Sequence, residues 1–470
     1  MLERNKTIST QQKALEINLD NSKYGTLVEI GAGQEVARQF FAAGAAAGTV
    51  AKTMSAYDMQ ISDMIYGKAG SYVSRERLEQ MLNREFQLLQ ERLSESRPSD
   101  TQFFTFAATV TAKSFKQANE CHGWIGIQAQ LYPGAPPSEI ILHARMLDHD
   151  NQTQSEALGI LGVNLIYGLY YYKDNPKWII DGLLDNLDSE RIEIDLINFS
   201  GPYFSDIDNR LMNLQLVRSW CCRAVMFDSN GASIAPASAL RKKDVLVMRG
   251  SFKPPTNVHM DMNEAAIEQF KNSGELNGPG ILNVAEITLS ELATDDEQDD
   301  ASFLARVDLL AKLGFHVLLS DYLRFFRLRS WLCKYTKNRI GIILSVHDFD
   351  QLFNEDYYKG LEGGILAAMG KLFTDNTNVF VYPIKIEDKI VSLDNVEVTP
   401  NLIYLLQHLK ANKKLLAIEK HKEENLHILA RDIFEEIPKG RGDWEQSLPD
   451  IVAREIIDKK LFGYSDESDE

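Results

Sequence analysis

Seven short apolar runs fall between residues 191 and 385, namely RIEIDLINF, CRAVMFD, DVLVMRG, ILNVAEITL, FHVLLSD, RIGIILSV and NVFVYPIK, and helix-length segments separate most of them. Runs of this kind are apolar on both faces, so they suit strands covered by helices on each side, and parallel strands need such crossovers to connect. The clearest unit is ASFLARVDLLAKLGFHVLLSDY, where an amphipathic helical pattern stops at Gly314 and a buried strand begins at once. The pattern predicts a Rossmann-like parallel sheet domain over residues 191–395.

The flanking segments read differently. In SRERLEQMLNREFQLLQERLSESRP, Leu78, Met81, Leu82, Phe86, Leu89 and Leu93 fall on one helical face before Pro98 ends the pattern. TFAATVTA, GWIGIQAQL and SEIILHARML have strand character, with the turn-rich YPGAPP between the last two, which predicts an antiparallel hairpin. Residues 1–190 are therefore expected to form an α+β N-terminal domain. Residues 396–470 read as a helical C-terminal segment whose acidic tail, YSDESDE, is expected to be disordered, and TDDEQDD at 294–300 as a solvated loop. The class is α/β, and 470 residues suit two or three domains at about 150 residues each.

A formal charge of −17 argues against nucleic acid and anionic membrane as partners and leaves small molecules or proteins. Cys121, Cys221, Cys222 and Cys333 have no zinc-ligand spacing and read as reduced thiols. The N-terminal stretch lacks the apolar centre of a signal peptide, and no run reaches the roughly 18 apolar residues of a membrane span. The expectation is a cytoplasmic protein.

Several motifs compete for a function. LVEIGAGQEVARQFF resembles the first motif of S-adenosylmethionine-dependent methyltransferases at Glu29, Gly31 and Gly33, but Glu35 stands where a third glycine is common and no acid-tipped strand is evident downstream. FAAGAAAGTVAKTMSAYDM reads instead as the continuation of an Ala/Gly-rich helix suited to tight packing or a subunit contact. AAGTVAKT fails as a P-loop at Ala46 and Ala51. His143, Asp148, His149 and Asp150 could hold a metal, although a strand running into a polar turn accounts for them. Cys121 and His122 should point to opposite faces of a strand. Asp228 lacks a second acid two residues on, and the RGD at 441–443 is read as coincidence. Arg324, Arg327 and Arg329 read as an exposed helix face with some capacity for phosphate.

The stretch VMRGSFKPPTNVHMDM is more specific. Gly250, Ser251, Phe252, Pro254, Thr256, Asn257, His259 and Asp261 follow the order and spacing of the signature of the nucleotidylyltransferase α/β superfamily. They most resemble its phosphopantetheine adenylyltransferase variant, in which threonine replaces the first histidine. The chain is also similar to a group of long bacterial proteins named as nicotinate-nucleotide adenylyltransferases.

The resemblance implies that His259 holds the ATP phosphates and stabilises the transition state, and that Thr256 hydrogen-bonds the attacking phosphate. Gly250, Ser251, Phe252 and Lys253 would line the nucleotide site, and Mg²⁺ would shield the triphosphate, with no metal site of the chain's own. Val258 departs from the family's glycine, and Lys253 stands where the related enzymes often carry aspartate or asparagine. The second motif, matched best by VEVTPNLIY with Thr399 as the phosphate-binding residue at a helix start, has Tyr404 where a basic residue belongs. Loss of that cation would cost a factor of roughly 10² to 10³ in rate, unless Arg324, Arg327 or Arg329 replaces it.

Two functional expectations follow. One is ATP-dependent adenylyl transfer to a small phosphate-bearing acceptor such as nicotinate or nicotinamide mononucleotide. The other is a non-catalytic homo-oligomeric scaffold built on a Rossmann-like domain, drawn from the Ala/Gly-rich stretch, the amphipathic 75–96 segment and the long N-terminal half.

Overall fold

The computed structural model describes residues 7–113, 120–278, 280–292, 297–440 and 443–465. The fold is α/β, with helices flanking two large sheets, and the chain divides into two compact units, Met1–Val225 and Met226–Glu470.

The first unit is built on a six-stranded sheet of β1 (Lys23–Ile30), β2 (Val50–Met54), β3 (Gln102–Thr111), β4 (His122–Ala129), β5 (Ser138–Met146) and β6 (Ile192–Ser200), in the order β2-β1-β3-β4-β5-β6. β1 pairs in parallel with β2 and β3, and the rest of the sheet is antiparallel. The expected β4–β5 hairpin is present. The helix Arg75–Leu93 buries Leu78, Met81, Leu82, Phe86 and Leu89. It comes so close to β4 that a Cβ on Gly126 would lie 3.0 Å from a Leu82 methyl. Its apolar face is thus covered within its own unit, which removes it as an argument for subunit contact.

Two boundaries differ from expectation. The stretch after Gln34 is no continuous helix: Glu35–Ala43 ends at Gly44, whose φ of 86° only glycine adopts readily, and Val50–Met54 becomes a parallel strand beside β1. Tertiary pairing there outweighs the helical propensity of the alanines. RIEIDLINF is β6, an edge strand of the first sheet, so the division falls at residues 225 and 226 and not near 191. An apolar run does not state which sheet it will join.

The second unit holds β7 (Ala224–Phe227), β8 (Ser233–Ile234), β9 (Asp244–Arg249), β10 (Ile281–Thr288), β11 (His316–Ser320), β12 (Ile340–Ser345), β13 (Thr377–Tyr382), a small ribbon of β14 (Ile384–Ile386) and β15 (Lys389–Val391), and β16 (Leu415–Ala417). The main sheet runs β16-β13-β12-β9-β10-β11-β7-β8. Its pairs from β11 across to β16 are parallel. Counted from β9, the first six strands have the 3-2-1-4-5-6 order of doubly wound folds, whose direction reverses between β9 and β12. The C-terminal segment is not purely helical, because β16 extends this sheet.

Of the acidic insert, residues 294–296 lie outside the described residues, and from Glu297 it forms the start of the helix Glu297–Lys312. The last five residues of the tail, and Arg441 and Gly442 of the RGD, also lie outside them. No helix among the described residues is long and apolar enough to cross a membrane.

Candidate functional site

The stretch 250–259 leaves the C-terminal end of β9, beside the point where strand order reverses, and enters the helix Asn257–Asn272. In open α/β sheets this crevice is where ligands bind. The loop is tightly built. Phe252 has a φ of 49°, the Lys253–Pro254 bond is cis, and the fully buried Phe252 ring packs on Gly250, where a Cβ would come within 3.2 Å of the ring. The room beside Gly250 therefore serves the loop's own aromatic ring.

Nδ1 of His259 accepts the Thr256 backbone N–H at 3.0 Å and lies 2.8 Å from the Thr256 hydroxyl. With both groups aimed at one lone pair, the neutral ring carries its proton on Nε2. The Phe252 ring lies 5.0 Å from the imidazole. Burial pushes the histidine down to about 4, so it is neutral at physiological pH and acts as a hydrogen-bond donor, not as a cation. The Thr256 hydroxyl is fully buried and turned to His259.

Val258 is partly buried against a cluster of Leu309, Ile433, Ile437, Trp444, Val452 and neighbouring residues, most of them C-terminal. Asn257 Nδ2 donates to the Gln446 carbonyl at 2.8 Å. The valine thus anchors C-terminal chain to the start of the helix. Asp261 accepts from the Tyr382 hydroxyl and from the Lys422 backbone N–H, the latter at 2.8 Å.

Cations reach the loop, though not those expected. Arg329 bonds Thr377, Thr374 and Asn376, at the start of β13 and the opposite end of the strands from the loop. Arg327 is exposed, and Arg324 lies 5.9 Å from the Tyr358 ring centre. Thr399 is an exposed turn residue without a side-chain cap bond, and Tyr404 is 80% exposed. None of these has a described bond to the loop.

A C-terminal helix that does reach it is Ala430–Glu436, whose Phe434 ring lies 4.3 Å from Lys253 Nζ. Arg306, on the helix Glu297–Lys312, is 1% exposed and donates to the Ser251 carbonyl at 3.2 Å and to Ser302 O and Oγ at 3.3 and 3.4 Å. It escaped the sequence reading, although it is three residues from Phe303 and four from Leu310, both buried, and so falls on the buried stripe of its helix. At the neighbouring strand ends, Arg249 forms a bidentate pair with the fully buried Glu286 at 2.9 and 3.0 Å, and Ser320 Oγ donates to the same carboxylate at 2.6 Å. Arg249 also donates to the Tyr322 and Leu323 carbonyls, at 2.6 and 3.0 Å, so its guanidinium is fully engaged there.

In the first unit, the Glu29 carboxylate accepts the backbone N–H groups of Val36 and Ala37, each at 3.0 Å, at the start of the helix Glu35–Ala43. Burial pushes it up to about 7 against the lowering effect of those two bonds. The helix start that would receive a cofactor anion is thus filled by the chain's own carboxylate. Gly31 has a φ of 105°, and a Cβ there would lie 1.8 Å from the Val110 carbonyl oxygen.

HARMLDHDN does not converge: Asp148 pairs with Arg191, Asp150 caps the helix Asn151–Tyr171, and no metal-competent group of three His, Cys, Asp or Glu exists among the described residues. His143 belongs to a different array. Its Nδ1 lies 2.6 Å from Asp195 Oδ1, and its Nε2 lies 3.0 Å from His122 Nδ1. The three residues come from β6, β5 and β4, so only strand register could have revealed them.

No family profile and no curated protein matches this chain. Similar solved structures include the competence/damage inducible protein CihA from Agrobacterium tumefaciens, at 16% identity over 36% of this chain and 99% of that one, with a TM-score of 0.26. A competence-damaged protein (CinA) superfamily protein from Enterobacter cloacae matches at 14% identity over 36% and 95%, with a TM-score of 0.26. A competence or damage-inducible protein from Enterobacter asburiae matches at 12% over 36% and 99%, with a TM-score of 0.27. Likenesses this distant leave function to be read from the site.

Proposed function

We propose that the second unit binds ATP at the 250–259 loop and transfers its adenylyl group to a small phosphate-bearing acceptor, such as a nicotinate or nicotinamide mononucleotide. The observation that carries this reading is the position of the signature loop, at the reversal of strand order, with His259 held in a single tautomer at the start of a sixteen-residue helix. An acceptor phosphate oxygen attacks the α-phosphorus and forms a P–O bond. The bond from that phosphorus to the bridging oxygen breaks, and pyrophosphate leaves with the electron pair.

The acceptor oxygen is already anionic, so the chain need supply no base. It has to position the two phosphates and offset developing charge. His259 contributes the Nε2 proton, and the helix start contributes the N–H groups of Asn257 and Val258, which have no intrahelical acceptor. Thr256 acts chiefly by fixing the imidazole. Asp261 is engaged by Tyr382 and Lys422, so Mg²⁺ fits as part of the Mg·ATP substrate and not on ligands from this chain.

The test is pyrophosphate release from Mg·ATP with a panel of acceptor phosphates, compared between the wild type and His259→Ala. Release that depends on an acceptor and on His259 supports the reading, and equal release from both proteins rejects it. The competing reading, a non-catalytic scaffold, is favoured by the Phe252 ring beside Gly250 and the internally bonded Thr256 hydroxyl. It gains from the exposed apolar residues Tyr57, Met59, Ile61 and Met64. It requires large particles in light scattering without nucleotide.

A further inference from the structure

We propose that Arg306 and Lys253 together grip the polyphosphate of a nucleoside triphosphate and supply the positive charge that Tyr404 fails to provide. The proposal rests on the nucleotide reading given above.

A guanidinium withdrawn from water ordinarily has a carboxylate beside it, because an unpaired buried charge is costly. Arg306 departs from that rule. It is 1% exposed, its hydrogen bonds go to the neutral oxygens of Ser251 and Ser302, and among the described residues it forms no ion pair. Burial lowers it to about 10, which still leaves it protonated at neutral pH.

Lys253 lies on the same loop, two residues from the carbonyl that Arg306 holds. Burial and then the charge of Arg306 both work against its protonation, so the two cations repel one another. Glu291 and Asp299 act on both in the opposite sense, favouring protonation. A cation on the loop, a second cation bonded to the loop from the helix Glu297–Lys312, and the helix start that follows are together relieved by an anion. The charge of Arg306, whose nitrogens are held by Ser251 and Ser302, and the point charge of Lys253 suit a ligand with several phosphate oxygens. A guanidinium that only shaped the loop would need no second cation beside it.

The experiment is isothermal titration of the full-length protein with inorganic triphosphate and, separately, with adenosine and with ATP, over a series of NaCl concentrations. Arg306→Gln removes the charge but keeps a donor for the Ser251 carbonyl, and Lys253→Gln removes the other cation. Each variant is expected to weaken inorganic triphosphate by about ten- to a hundredfold, the loss of one charge-assisted contact. Each should leave adenosine affinity unchanged, and the salt dependence for triphosphate should be shallower.

Triphosphate affinity equal to wild type in both variants overturns the proposal, and so does an equal loss of adenosine and triphosphate, which marks a loop-shaping role. If Arg306→Gln does not fold, Lys253→Gln and the wild-type salt slope decide by the same criteria. A wild type that binds neither ATP nor triphosphate rejects the nucleotide reading and this proposal together. ATP binding with His259-dependent turnover but unaltered affinity in the cation variants rejects this proposal alone.

Discussion

His259 Nδ1 accepts the backbone N–H of Thr256 at 3.0 Å, so the imidazole at the third helical position closes the turn that precedes its own helix. Ring orientation, tautomer and helix start are fixed by one contact. The residue is therefore structural and, in the proposed chemistry, catalytic at once, and the two roles separate by experiment.

His259→Ala is expected to lower adenylyl transfer by about 10² to 10³, as removal of one transition-state donor does elsewhere. Loss of the cap-like contact should cost about 1 kcal/mol of stability. Denaturant unfolding run beside turnover separates the two effects. His259→Asn, which can still accept the Thr256 N–H, should recover most of the stability and little of the rate.

Stability should depend on pH through the same ring. Its folded-state value is about 4 against an ordinary 6.5, so between these values the unfolded chain binds a proton that the folded chain does not. Its contribution is complete above about 6.5 and is lost as pH falls toward 4. The size is of the order of 2 kcal/mol, less than the full shift implies because the ring is partly exposed. Urea midpoints from pH 7 to 4 should fall more steeply in the wild type than in His259→Asn, and parallel curves would contradict the assignment.

Val258→Gly introduces the glycine of the nucleotidylyltransferase signature that the loop resembles but withdraws two methyls from the C-terminal cluster. The expected cost is about 1–2 kcal/mol, from lost burial and from glycine near a helix start. Amide exchange should accelerate in the helix Asp450–Asp458, which contributes Val452 and Ile456 to that cluster. Unchanged exchange there would mean that Val258 does not anchor the segment.

Asp195→Ala strips the buried His143 of its carboxylate partner in the first unit. Leaving a buried ring nitrogen without its hydrogen-bond partner costs about 1–3 kcal/mol. Thermal unfolding should report that loss, while the ATP binding proposed for the second unit should not change in the folded fraction.

The pattern of apolar runs made the second unit legible because a strand covered on both faces must be apolar throughout. DVLVMRG, ILNVAEITL, FHVLLSD, RIGIILSV and NVFVYPIK all became parallel strands of one sheet. The loop from Gly250 to His259 was legible for a related reason, since a strand, a turn and a helix start follow one another within about a dozen residues. Arg306 was hard to see because an arginine in an amphipathic helix ordinarily reads as surface. The meeting of Asp195, His143 and His122 was invisible, since the nearest two are 21 residues apart and come together only through strand register.

Local chemistry along the chain determined where strands and helices begin, which faces are apolar, and which residues share one turn, because those properties are set by neighbours a few residues away. Tertiary structure alone decided that RIEIDLINF joins the first sheet, that Val50–Met54 is a strand, that Val258 faces a C-terminal cluster, and that Arg306 meets Ser251. Each of those depends on contacts between distant segments, whose free energy comes from burial and pairing that no short window of residues contains.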